Sequence, residues 1–196
     1  MMRVDKLKLI YVDPPKTGSQ SIDRLFEHYY GGTHIKFTRR TDKHSKKIPS
    51  DCKDYNIAAT VRNPYTRAYS LYNMDVNKNI SHFGVRLNNF KNYITDVIEL
   101  CKSKPHSSNL RVYRYYNLTN YLREFNVRLL IKMEDIHTHI KELKLNNGIC
   151  NVNNIHANAG AYPDNKTWHN VQTPELIHLI NTWAAPDFVN YGYIKL

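Results

Sequence analysis

The chain has 196 residues, of which 41% are hydrophobic, 12% aromatic and 23% charged. That balance belongs to a folded domain with a real core and excludes a disordered chain, and the sequence holds no run of ~18 apolar residues that could span a bilayer. The net charge of +11 carries no information on fold and points instead to anionic partners.

Arg3, Asp5, Lys6 and Lys8 are threaded through the first apolar residues, a strand pattern and not a leader peptide. A strand at about 7–13 leads into Asp13-Pro14-Pro15-Lys16-Thr17-Gly18-Ser19-Gln20-Ser21. Ile22, Leu25, Phe26 and Tyr29 then recur at i, i+3, i+4 and i+7, which predicts a helix at about 20–30. Strand, tight turn and helix in this order aim backbone N–H groups and the positive end of a helix dipole at one spot, beside Lys16. The turn is an anion site. It is not the common nucleotide-triphosphate loop, which needs G-x-x-x-x-G-K-[ST], because here the lysine precedes the glycine. A nucleotide kinase is thereby disfavoured.

A basic, irregular stretch follows, with Lys36, Arg39, Arg40, Lys43, Lys46 and Lys47. The run 55–61 then reads as a buried strand entering Arg62-Asn63-Pro64-Tyr65-Thr66-Arg67-Ala68-Tyr69-Ser70. Asn63 is a good N-cap and Pro64 suits the first helical position, so a helix is predicted from 64 to about 78. Arg62 at the strand end and Ser70 two turns into that helix are expected to converge on a second anion. Phe90, Ile94, Val97, Ile98 and Cys101 mark a further helix ended by Pro105.

The Tyr-rich segment 112–122 fits no single period, 127–133 is a strand, 135–145 a helix and 146–172 a long loop. Arg111, Arg114, Arg123 and Arg128 are interleaved there with tyrosines. They form either solvated faces with the rings turned inward, or a basic cleft for a polyanion. Leu176, Leu179, Ile180 and Trp183 share one face of a last helix. Alternating strands and helices predict one α/β domain over 1–196, three-layered, with a mainly parallel sheet flanked by helices.

Pro15-Lys16-Thr17-Gly18-Ser19-Gln20-Ser21 resembles the 5′-phosphosulfate loop of sulfotransferases that use 3′-phosphoadenosine-5′-phosphosulfate (PAPS). The block Val-Arg-Asn-Pro-Tyr-x-Arg-x-x-Ser-x-Tyr from Val61 to Tyr72 resembles their 3′-phosphate block. Lys43-His44-Ser45, the strand ending in Glu134, and Ala185-Pro186-Asp187-Phe188 extend the likeness to the carbohydrate sulfotransferase-like branch. Asp13-Pro14 departs from that pattern, and the acid must face away from a bound polyanion.

The resemblance implies a P-loop-like sulfotransferase fold, with PAPS as sulfuryl donor, PAP as product and no metal. Pro15, Lys16, Thr17, Gly18, Ser19, Gln20 and Ser21 would hold the 5′ end, Arg62 and Ser70 the 3′-phosphate. Lys16 would stabilise the leaving phosphate. His44 is the expected base for an acceptor hydroxyl, with His34 as the alternative. The acceptor expected from this branch is a saccharide, which the basic segments would suit if it were polyanionic.

The rival readings are a PAPS-binding protein without catalysis and a basic nucleic-acid-binding protein. No helix-turn-helix, zinc or RNP pattern favours the latter. The three cysteines, Cys52, Cys101 and Cys150, suggest neither a disulfide framework nor a zinc site and suit a reducing, cytoplasmic setting. Heavy use of Asn, Lys and Tyr points to an AT-rich, microbial or viral genome. The oligomeric state is not legible.

Overall fold

The computed structural model describes residues 1–35, 48–105, 107, 109–136 and 167–196. His44, the basic run around it, the expected helix at 135–145 beyond Ile136 and most of the 146–172 loop lie outside the described residues. The chain divides into two compact units, one of Met1–Arg62 with Leu122–Ala159, the other of Asn63–Tyr121 with Gly160–Leu196.

The first unit is built on a five-stranded sheet of order β3-β1-β2-β4-β5. Its strands are β1 (Met2–Val4), β2 (Leu9–Val12), β3 (Thr33–His34), β4 (Asn56–Val61) and β5 (Val127–Lys132). All four residues of β2 are buried, as are the last four of β4, the pattern of strands covered on both faces. β4 runs parallel to both β2 and β5, with Val12 opposite Ala59 and Val61 opposite Lys132.

The expected mainly parallel sheet needs correction, because the sheet is mixed. β1 is antiparallel to β2 and to β3. The cause is chain length: only the short turn Asp5–Leu7 and Lys8 join β1 to β2, and a link that short permits a hairpin but no crossover. The single strand read at 7–13 is therefore a hairpin from Met2 to Val12.

Helix α1 (Ser19–Tyr30) lays Ile22, Leu25, Phe26 and Tyr30 onto this sheet, in one core with Met2, Val4, Leu9, Tyr11, Ala58 and Ile131. Gly31, left-handed at φ 66°, ends it, and its N–H closes back on the Phe26 carbonyl.

The second unit is helical. It holds α2 (Pro64–Asn77), α3 (Phe90–Ser103), α4 (Leu110–Tyr113), α5 (Leu118–Leu122, its last residue already in the first unit), α6 (Trp168–Val171), α7 (Pro174–Trp183) and α8 (Ala185–Tyr191). Asn63 caps α2 as predicted, its side chain accepting from the N–H groups of Tyr65 and Thr66. The ambiguous Tyr-rich stretch is the pair of short helices α4 and α5, with Tyr113 stacked on Tyr121 at 4.3 Å between centroids. Tyr113, Tyr115, Tyr116 and Tyr121 are all buried, so the rings of that segment turn inward. Cys52 and Cys101 are free thiols. No helix among the described residues is long and apolar enough to cross a membrane.

Candidate anion site at the carboxyl ends of the strands

Parallel pairing puts the carboxyl ends of β2, β4 and β5 at one end of the sheet. β3 points the same way, because it is antiparallel to β1, which is itself antiparallel to β2. The loop after β2, Arg62 after β4, Lys132 and Met133 at the end of β5, and His34 closing β3 thus share one edge. Ligands of open α/β sheets bind at such an edge.

The loop from Asp13 to Gly18 is pinned from inside. Thr17 is fully buried, and its hydroxyl donates to the Pro14 carbonyl at 2.8 Å. That proton being used, the 2.8 Å contact with Thr60 Oγ1 must be a donation from Thr60, and the 2.7 Å contact of Thr60 with Tyr11 a donation from Tyr11. A chain of three buried hydroxyls therefore ties β2 and β4 to the turn.

Lys16 and Gly18 both have left-handed backbones, at φ 66° and 76°. At Gly18 two causes coincide. The conformation favours glycine, and a Cβ there would lie 2.2 Å from Met133 Sδ. Gly18 also stands at the N-cap of α1, where no side chain caps the helix and no acidic residue occupies the first turn. The positive end of that helix dipole faces no carboxylate of its own first turn.

Arg62 joins the second sequence block to the first, its Nη1 donating to the Lys16 carbonyl at 3.3 Å. Met133 N donates to Val61 O at 2.9 Å, so the chain leaving β5 is held over the same end. Asp13, the departure noted in the sequence, has its Oδ1 2.9 Å from the Met1 ammonium, which offsets its charge.

Lys16, Pro15, Gly18 and Ser19 are half-buried and Gln20 is exposed, whereas Thr17 and Ser21 are buried. Thr17 thus offers an anion its backbone N–H and not its hydroxyl. Ser70 is a buried residue of α2, 4% exposed, in the helical unit, while Arg62 closes the sheet unit. Arg67 is fully buried with its guanidinium over Trp183 at 5.3 Å. His34 is exposed at the end of β3.

Sequence reasoning missed Thr60, Met133 and Asp23. Burial, with Asp13 and Glu27 adding to it, lifts the Asp23 carboxyl to about 6, while His34 and the Met1 ammonium pull the other way. Met133 could have been flagged only by knowing that β5 lies beside β4. Among the described residues no group of three or more His, Cys, Asp or Glu could hold a metal ion. No protein-family model matches the chain, and no curated protein and no solved structure matches it significantly.

Proposed function

We propose that the chain is a PAPS-dependent sulfotransferase that moves a sulfuryl group to an acceptor hydroxyl, on a glycan, in a cytoplasmic setting. The observation that carries this reading is the contact of Arg62 with the Lys16 carbonyl, which joins the two phosphate-like sequence blocks at one sheet end. A nucleotide with phosphates at both ends of its ribose needs two cationic points that close together. In the transfer, the acceptor oxygen attacks sulfur in line, the bond from sulfur to the 5′-phosphate oxygen breaks, and PAP leaves. The acceptor proton passes to a histidine, His44 by sequence position or His34 at the end of β3. Lys16 stabilises charge on the departing phosphate, and the N–H groups of Thr17, Gly18 and Ser19 hold its oxygens. Arg62 offers a planar fork to the 3′-phosphate.

Isothermal titration with PAP, ATP and a single-stranded oligonucleotide tests the reading. PAP is expected to bind best, and Arg62→Ala to weaken PAP far more than adenosine 5′-phosphosulfate, which lacks the 3′-phosphate. Equal losses for both ligands would remove Arg62 from that role, and preference for ATP would remove the nucleotide assignment. Transfer from labelled PAPS to a panel of saccharides separates an enzyme from a protein that only binds the nucleotide.

A further inference from the structure

The segment between α2 and α3 contains a residue that its backbone does not favour. Phe83 has a left-handed backbone at φ 57°, a conformation that disfavours a bulky side chain. The ring nevertheless gains little burial, being 46% exposed, and it is the one exposed aromatic side chain among the described residues. The turn beneath it is firmly held. Ile80 N donates to Asp75 O at 2.8 Å, Ser81 Oγ to Val85 O at 2.7 Å and Val85 N to His82 O at 3.2 Å, and Val85 is buried. Neighbouring structure therefore presents the ring outward and does not let it collapse.

Charge gathers at the same place. The ammonium of Lys104, at the end of α3, lies 4.8 Å from the Phe83 ring centroid. Lys104 is itself anchored, its N–H bonded to Leu100 O at 3.1 Å and its carbonyl accepting from the Tyr116 hydroxyl. Arg111 is exposed, and its charge, with that of Arg114, acts on His82 beside Phe83. Arg114 is neutralised by the buried Asp75, whereas Lys104 and Arg111 are both exposed. The turn from Asn79 to Val85 contains no acidic residue.

We infer that Phe83, Lys104 and Arg111 form a docking surface for an acidic saccharide chain, one carrying sulfate or carboxylate groups. The anionic groups pair with Lys104 and Arg111, and the apolar flank of a sugar ring lies against Phe83. Single-stranded nucleic acid fits less well, because tracking successive bases needs a series of exposed rings and the tyrosines nearby are buried. The three residues belong to the helical unit. The choice of a saccharide over another polyanion rests on the glycan acceptor of the proposed function, while polyanion binding is read without sulfuryl transfer, so either can fail alone.

Binding of the full chain to dextran sulfate, neutral dextran and an oligothymidylate, each over a salt series, tests it. Dextran sulfate is expected to bind with a steep salt dependence and neutral dextran not to bind. The pair Lys104→Gln with Arg111→Gln should weaken dextran sulfate on the order of tenfold at low salt and flatten the slope. Phe83→Gly, which suits the left-handed backbone, should weaken binding several-fold, keep the slope and leave the melting temperature within a few degrees. Unchanged affinity in the double variant, tighter binding of the oligothymidylate through the same residues, or a large fall in melting temperature for Phe83→Gly would each overturn the inference.

Discussion

Gly18 meets a conformational demand and a steric one, and the two can be separated. Gly18→Ala puts a Cβ on a left-handed residue, at about 1–2 kcal/mol, and drives that Cβ into Met133. Urea unfolding should show Gly18→Ala destabilised by more than the conformational cost alone. Adding Met133→Ala should recover the steric part and leave the rest, and simple additivity in the double-mutant cycle would mean that Met133 moves aside freely. Lys16 tests chemistry at the same scale. Under the proposed sulfuryl transfer, Lys16→Ala should lower turnover on the order of 100-fold while changing PAP affinity less, because in that reading its charge matters most as the leaving phosphate develops. Near-normal turnover in that variant would take Lys16 out of the mechanism.

At the level of elements, α2 is defined by what it buries. Arg67 is fully buried, and burial draws its pKa down to about 10 against the pull of Asp187. Asp187, equally buried, accepts from Leu118 N at 2.8 Å and Thr119 N at 2.7 Å, so it also holds the first turn of α5. The two buried charges act on each other through space, so removing Arg67 leaves the Asp187 carboxylate less well compensated. Arg67→Met should therefore be strongly destabilising, and Asp187→Asn in the same chain should restore part of the loss, since an amide oxygen can still accept from α5. Thermal unfolding of the two single variants and the double variant measures this coupling. Two losses that merely add would show that the charges do not sense each other.

For the whole molecule, charge and pH offer the broadest test. Asp23 titrates near 6 in the folded chain, against a usual value of 3.8. Between those values the folded chain holds the proton that the unfolded chain has released. Stability from this group is thus greatest in acid, falls as pH rises from about 4 to 6, and stays lower above that. Asp23→Asn should flatten this stretch of the stability profile and leave the protein at least as stable as the wild type at pH 7. Urea midpoints across pH 4–8 decide it, and parallel profiles for the two proteins would mean that burial does not perturb Asp23.

Local chemistry made much of the fold legible. The period of Ile22, Leu25, Phe26 and Tyr29, the cap at Asn63 with Pro64, and the apolar run into Arg62 each act over a few residues. The elements they predict are found at 19–30, 64–77 and 56–61. The pairing of Lys16 with glycine in a strand-to-helix turn was equally local. Strand order was not. That β1 folds back on β2, that Met133 covers Gly18, that Thr17 spends its hydroxyl on Pro14, and that Arg67 turns into the core depend on partners far away in the chain. Burial and hydrogen bonding act on whatever lies adjacent in space, and a pattern of residue types along the chain records propensity but not neighbours. The sheet edge where Lys16 and Arg62 meet therefore exists only once β2 and β4 have paired.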